Sequence, residues 1–463
     1  MAALDLDNDV SKHVDFSLQL LREPREEHEL SSKLSAFLDE LHPVMLTSVI
    51  NAVDPEYQSE FIKHVTGLDQ LAGLIAHAGD YVRGIALKLL DDSRIGAVVR
   101  RLEIDDAADV LSMLPRRKRI GALKRVSPSR AKEINKLLAY DRETAGGIMT
   151  TLFLSFPEHI SADEATRQLR QKLQDDDITR DTEISSFYIL DGDHRLKGVC
   201  SLRELLAASS VSHISQIMKT SFLSVAPNDD QEKVARIIAD YDLHSVPVLD
   251  PDSKKILGII TVDDIVDVID EEHTEDLLRL VGTEEQDKIG ATIPVAIKSR
   301  IPWLGASWLG GIVGAMLLGN FSPALEKVVA LAFFMPIVCG MGGNVGSQTS
   351  TITVRGIATG ELGDYRIFRR LKQEASIGIL LGVIFGAMLC LVSLLLYHNI
   401  KLSLIVGVSI MMSMTCATSF GAILPFIMQK LGADPAIASG PFVTTSTDLI
   451  SIVIYFSIAS LML

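Results

Sequence analysis

The chain has 463 residues, too many for one ordinary domain, with 59 Asp and Glu against 44 Lys and Arg and a mean hydropathy of +0.27. Acidity and hydropathy lie at opposite ends: residues 299–463 hold 9 bases and 6 acids, which leaves residues 1–298 at net −18. Such a field excludes nucleic acid and other polyanions as partners and is compatible with multivalent cations or with solubility alone.

Residues 1–14 show no apolar run behind a basic start, so no cleavable secretory signal is expected there and the segment is expected to be disordered. Residues 15–140 carry helical periodicity, as in LSSKLSAFLDELH and DDAADVLSMLP, separated by short breaks. This predicts an acidic, stacked all-helical domain in the cytosol. The 11 histidines are scattered, and there is no Gly-rich phosphate loop, HExxH or nucleophile elbow, so no enzymatic activity is expected. Cys200, Cys339, Cys390 and Cys416 have no metal-ligand spacing and read as small buried hydrophobes.

Residues 149–273 contain an internal repeat, which sets a tandem domain at 141–262. MTTLFLSF from Met149 matches MKTSFLSV from Met218, and FYILDGDHRLKGVCSLREL matches VPVLDPDSKKILGIITVDDI. Each unit reads as strand, amphipathic helix, strand, turn, strand and helix. The pair resembles tandem CBS modules, the first at 149–215 and the core of the second at 216–262, its last helix running to about 273. The resemblance implies that Thr261 and Asp264 contact a nucleotide ribose, with Ser201 and Glu204 at the matching positions of the first module. A nucleotide such as ATP as regulator and a bare dimerisation unit are the two readings.

Residues 263–298 form an acidic linker. No Lys or Arg occurs from Ile256 to Leu278, while Asp263/Asp267, Asp267/Glu271, Glu271/Glu275 and Glu272/Asp276 are i, i+4 pairs of like charge. On a helix these repel, and a solvated face would interleave bases. Hard divalent cations bound through oxygen would relieve the repulsion.

From residue 299 onward, apolar runs at about 301–319, 325–341, 376–397, 402–428 and 436–462 each approach the roughly 20 residues needed to span a bilayer. Lys298 and Arg300 precede the first, and Arg355, Arg366, Arg369, Arg370 and Lys372 fill the longest connection. The positive-inside rule then predicts a cytosolic N-terminus and an external C-terminus. Small residues at Gly310/Gly314 and at Gly378/Gly382/Gly386 predict close helix packing. In the second run, MPIVCGMGGNVGSQ interrupts the apolar pattern, either as unwound backbone lining a cavity or as a loop outside the bilayer. Asp448 lies in PFVTTSTDLISIVIYF, at a depth where a carboxylate costs about 2.5–3.5 kcal/mol. Thr444, Asp448, Ser451 and Tyr455 share one helix face, which points to an ion pathway.

The order of acidic helical domain, CBS pair, acidic linker and five spans closely resembles the MgtE family of magnesium channels, most closely in VDDIVDVIDEEHTED, MGGNVGSQ and the last span. The fold class so implied is multi-domain: an all-α membrane domain of five helices, an α-helical cytosolic domain and an α/β CBS pair. The resemblance implies a homodimer in the cytoplasmic membrane, with Asp448 of both subunits recognising hydrated Mg²⁺, Asn344 near the filter, Glu326 at the outer vestibule and Thr444 on the pore face. It also implies regulatory Mg²⁺ at Asp105, Asp109, Asp230, Glu232, Asp242, Asp264, Asp267, Glu272, Glu275 and Asp276, closing the pore when intracellular Mg²⁺ is high. The alternatives are a CBS-regulated path for Co²⁺, Mn²⁺, Ni²⁺ or Ca²⁺, and a CBS-gated anion channel, against which Asp448 argues.

Overall fold

The computed structural model describes residues 12–14, 27–174, 185–283, 293–362, 367–438 and 440–463. The chain divides into two compact units, residues 1–270 and 271–463. Most of the 1–14 segment lies outside the described residues. Residues 12–14 make a helical turn where disorder was expected, because His13 stacks on Phe37 at 5.6 Å and Val14 packs on the core.

The first unit begins with short helices, from α1 (Glu27–Glu40) through α2 (Pro43–Ala52), α3 (Pro55–His64), α4 (Leu68–His77), α5 (Asp80–Leu89), α6 (Asp92–Val99), α7 (Ile104–Ser112) and α8 (Arg116–Leu123) to α9 (Pro128–Leu137). Several begin with proline at the first helical position, where the missing N–H is not needed. None is long enough to be stable alone, so their fold depends on burying one apolar stripe each. Leu46, Ile50, Phe61, Leu71, Leu74 and Leu111 all lie in one core.

That core continues into the second half of the repeat through Val234, Val246, Ile260 and Ile265. The repeat comprises β1 (Ser155–Pro157), α10 (Ala162–Gln174), β2 (Ser186–Leu190), β3 (Leu196–Ser201), α11 (Leu202–Ala207), α12 (Ile214–Ile217), α13 (Gln231–Asp240), β4 (Ser245–Leu249), β5 (Ile256–Thr261) and α14 (Val262–Leu280). β1 runs parallel to β2, β2 antiparallel to β3, and β4 antiparallel to β5. The leading segments cross over: Thr150 bridges Ile259 of the second module, and Lys219 bridges Val199 of the first. Gly198 and Gly258 allow it, since a Cβ there would lie 2.9 Å from the Lys219 carbonyl and 2.6 Å from the Thr150 carbonyl. The last helix of the second module and the acidic segment form a single helix, α14, rather than a module helix followed by a separate linker.

The second unit contains, among the described residues, five helices long and apolar enough to cross a membrane. They are α15 (Ile293–Gly319), α17 (Ala330–Ala358), α18 (Ile367–Tyr397), α19 (Ile400–Lys430) and α20 (Pro441–Met462), with the short α16 (Ser322–Lys327) between the first two. α18 and α19 form a hairpin in which Gly386 meets Gly407, Gly382 meets Met411 and Gly378 meets Thr415, backbone against backbone. Gly310 and Gly314 of α15 receive Thr445 and Leu449 of α20. Cys416 is exposed on the outer face of α19, unlike the fully buried Cys200, because the bundle turns that face outward.

Candidate functional site

In the second unit, α17 stays helical through MGGNVGSQ and on to Ala358, so the segment is neither unwound nor a loop. The helical hydrogen bonds are kept because the glycines serve another use: close approach of α20. A Cβ at Gly346 would lie 2.8 Å from Thr447 Cγ2, one at Gly343 would lie 3.1 Å from Thr444 Cγ2 and 3.5 Å from Asp448 Oδ1, and Gly342 meets the Ser451 hydroxyl. The pairing of Gly342 with Ser451 and Gly346 with Thr447 is antiparallel, which puts Asn344, an exposed residue, at the level of Asp448. Ser347 Oγ and Thr444 Oγ1 are 3.4 Å apart one turn away.

The polar face of α20 divides in two. Tyr455 is buried and its hydroxyl donates to the Leu331 carbonyl at 2.9 Å, while Ser451 is buried against α17. Thr444 and Asp448 instead line a cavity of about 840 Å³ with Gly310, Gly314, Met335 and Val281. Asp448 makes no hydrogen bond or ion pair among the described residues. Glu326, at the head of the apolar run expected at 325–341, is instead exposed on the separate helix α16, because that helix ends at Lys327 before α17 begins.

Within the first unit, the acids of α7 and the start of α14 confront one another. Asp105 and Asp106 occupy the first turn of α7, where the helix dipole favours them, and Asp109 lies one turn on. Burial, then the neighbouring Asp105, raises Asp106 to about 6. Burial, then Asp105, raises Asp264 to about 8, although Thr261 Oγ1 donates to its Oδ2 at 2.7 Å. Burial likewise raises Asp105, with a contribution from Asp263, and Asp109, which Arg142 partly offsets at 3.5 Å. Asp267 is exposed and adds to the repulsion on Asp106. Among the described residues no group of three or more acid, His or Cys side chains is placed to hold a metal ion. The acids of the two helices thus raise one another's proton affinity without forming such a group.

The other acids named from sequence are dispersed. Asp230 caps α13 by accepting from the Glu232 N–H, and Glu232 pairs with Arg236 at 2.9 Å. Asp242 adopts φ 49° beside an apolar hollow that includes His244. In the second unit Glu275 pairs with Arg279, which also pairs with Asp434 in the connection before α20. Against a desolvation that alone would lower it, Asp434, Glu275 and Asp276 raise the Arg279 pKa. Glu272 and Asp276 are half-buried on the same helix.

Comparison with known proteins follows the same division. Residues 335–458 match the MgtE model, described as divalent cation transporter, residues 41–143 the MgtE intracellular N domain, and residues 145–211 and 214–271 the CBS domain. The magnesium transporter MgtE of Thermus thermophilus is 36% identical over 369 residues, covering 78% of this chain and 80% of that protein. Its counterpart in Enterococcus faecalis is 38% identical over 331 residues, covering 72% of each. The chain belongs to the MgtE family. It is a multi-pass membrane protein with a helical N domain and a CBS pair. A crystal structure of the cytosolic domain of the Mg²⁺ channel MgtE in complex with ATP is 30% identical, covers 50% of this chain and 93% of that one, and gives a TM-score of 0.45.

The two modules of this MgtE-family chain differ at the positions named for a nucleotide. Glu204 closes a capping box with Ser201 and pairs with Lys219 at 2.8 Å. Among the described residues Asp264 has Thr261 alone as donor, and neighbouring acids raise its pKa. Sequence reasoning missed Asp106, although it adjoins an acid it named, and gave Asp263 only as one of the like-charge pairs of the acidic segment. It also missed Arg142 and the buried Glu374, whose carboxylate accepts from Thr349 at 3.0 Å and pairs with Arg370 at 2.7 Å. Glu374 lies in the basic stretch RRLKQEAS, which carries no motif that announces a partner on another helix.

Proposed function

We propose that this chain is a Mg²⁺ channel or transporter of the cytoplasmic membrane, admitting Mg²⁺ down its electrochemical gradient and closing when intracellular Mg²⁺ binds its acidic domains. The observation that carries this reading is Asp448, a carboxylate on a membrane-spanning helix without a partner among the described residues, facing a cavity of about 840 Å³. Two such carboxylates in a homodimer balance one divalent charge, and Mg²⁺ sheds water so reluctantly that outer-shell recognition suits it. Asn344 and Thr444 supply neutral oxygens at or near that level, and Glu326 adds negative charge outside the bundle. Among the described residues no imidazole or thiol lines the cavity, and the Met335 thioether is its one soft group, which disfavours a path specialised for Co²⁺ or Ni²⁺.

Closure follows from the acids. Asp105, Asp106 and Asp109 on one side and Asp263, Asp264 and Asp267 on the other repel when bare, and hydrated Mg²⁺ between them draws the two elements together. Glu272, Glu275 and Asp276 extend the acidic surface along α14, and Asp230, Glu232 and Asp242 supply weaker surface sites. Inward flow needs no ATP hydrolysis, since each charge gains about 2.3 kcal/mol per 100 mV of inside-negative potential. A nucleotide such as ATP would act as regulator at Thr261 and Asp264, with Glu204 already engaged by Lys219. In this reading the N-terminus lies in the cytosol and the C-terminus outside, which the basic connection 355–372 supports.

The test is rescue of a magnesium-transport-deficient bacterium. Wild type should rescue, and Asp448→Ala should cut Mg²⁺ uptake by roughly tenfold or more, equivalent to about 1.4 kcal/mol or more of lost ion stabilisation. Equal rescue by both would overturn the pore assignment.

A further inference from the structure

We infer that the end of the bundle joining α17 to α18 holds the phosphate of an anionic phospholipid. The two helices have 29 and 31 residues, about 44 and 46 Å at 1.5 Å per residue, against a hydrocarbon layer of about 30 Å. Their joined ends therefore reach the headgroup layer. There a cavity of about 430 Å³ is lined by Ile352, Arg355 and Gly356 of α17, Glu361 and Leu362 of the connection, and Arg370 of α18.

The two guanidiniums have complementary properties. Arg370 is held by the buried Glu374 through Nη2 at 2.7 Å, and its Nε is buried with no acceptor among the described residues. Thr349 fixes Glu374 from the other side, so Arg370 is pre-oriented with part of its donor fork uncommitted. Arg355 is exposed and makes no ion pair among the described residues. Glu361 is the one acid among the described residues of the lining and has a partner of its own. The lining thus keeps a net positive charge next to apolar surface: Ile352, in the lining itself, is 56% exposed. A free phosphate would use the guanidiniums alone. A lipid uses both, with its phosphodiester on Arg355 and Arg370 and an acyl chain along Ile352, one turn further into the bundle.

The experiment titrates the full chain, delipidated in neutral detergent, with phosphatidylglycerol, phosphatidylcholine or inorganic phosphate, and reads bound lipid by native mass spectrometry and the unfolding midpoint. Phosphatidylglycerol should be retained and raise the midpoint, and the other two should not. Arg355→Glu should weaken retention by about tenfold, as reversal of a charge near a lipid surface predicts. Leu362→Trp, which fills the cavity from its apolar side, should weaken it too, while Arg369→Glu, an exposed base outside the lining, should leave it unchanged. Equal stabilisation by phosphatidylcholine or inorganic phosphate would overturn the inference. So would retention insensitive to Arg355→Glu, or equally sensitive to Arg369→Glu.

Discussion

At the scale of the residue, the acids of this chain gain their meaning from what they lack. Among the described residues Asp448 has no cation beside it, and Asp264 is half-buried among other acids. The second case has a pH signature. A carboxyl whose folded value lies above its unfolded one binds more protons in the native state, so stability is greatest below the unfolded value and is lost as pH rises through the folded one. For Asp264, raised from 3.8 to about 8, and Asp106, raised to about 6, that window runs from about pH 4 to pH 8. With a chelator present, hydrogen exchange in α7 and the start of α14 should therefore report a loss of about 2 kcal/mol or more from pH 5 to pH 8, each tenfold difference in proton affinity being worth ~1.4 kcal/mol. Asp264→Asn should flatten the profile, and millimolar Mg²⁺ should remove it. A profile flat in the wild type would count against the confrontation of these acids.

At the scale of the element, the glycines of α17 matter as absences of side chain. Gly346→Leu places atoms where Thr447 already lies and should destabilise the packing of α17 on α20 by about 1–3 kcal/mol, read as a lower unfolding midpoint in detergent together with lost uptake. The helical period of the spans and their count were legible in the sequence, since apolar runs of spanning length require it. The continuity of α17 was not, because glycine and asparagine weaken a helix locally and only the partner α20 restores what they lose. α14 carries a second coupling. Arg279 bridges Glu275 and Asp434, and Gly440 brings the start of α20 against the Leu280 carbonyl. Arg279→Gln should loosen α14 from α20, so that uptake into vesicles responds less to internal Mg²⁺ while still depending on Asp448. Arg279→Lys should retain most of the response. Uptake by Arg279→Gln as steeply Mg²⁺-dependent as wild type would reject this coupling.

At the scale of the whole molecule, an acidic sensor and a membrane path serve the same cation in the proposed reading, and the predicted outcome is order in the connecting segment. Internal Mg²⁺ in the millimolar range should protect residues 263–290 from protease, and Asp105→Asn with Asp264→Asn should abolish protection. A digestion pattern unchanged by Mg²⁺ would remove the clamp and leave the pore assignment standing. The sequence by itself determined the division into acidic and apolar ends, the repeat, the five spans and the carboxylate in the last of them, because charge, period and hydropathy are local properties of the chain. Only the tertiary structure decided which acids face one another, which hydroxyls are consumed by packing and which remain open to the cavity. Asp106 joins Asp264, Tyr455 turns to the Leu331 carbonyl, and Arg370 finds Glu374. Each of these depends on desolvation and on the approach of a residue distant in sequence or one helical turn away, quantities that exist only once the backbone has been brought together.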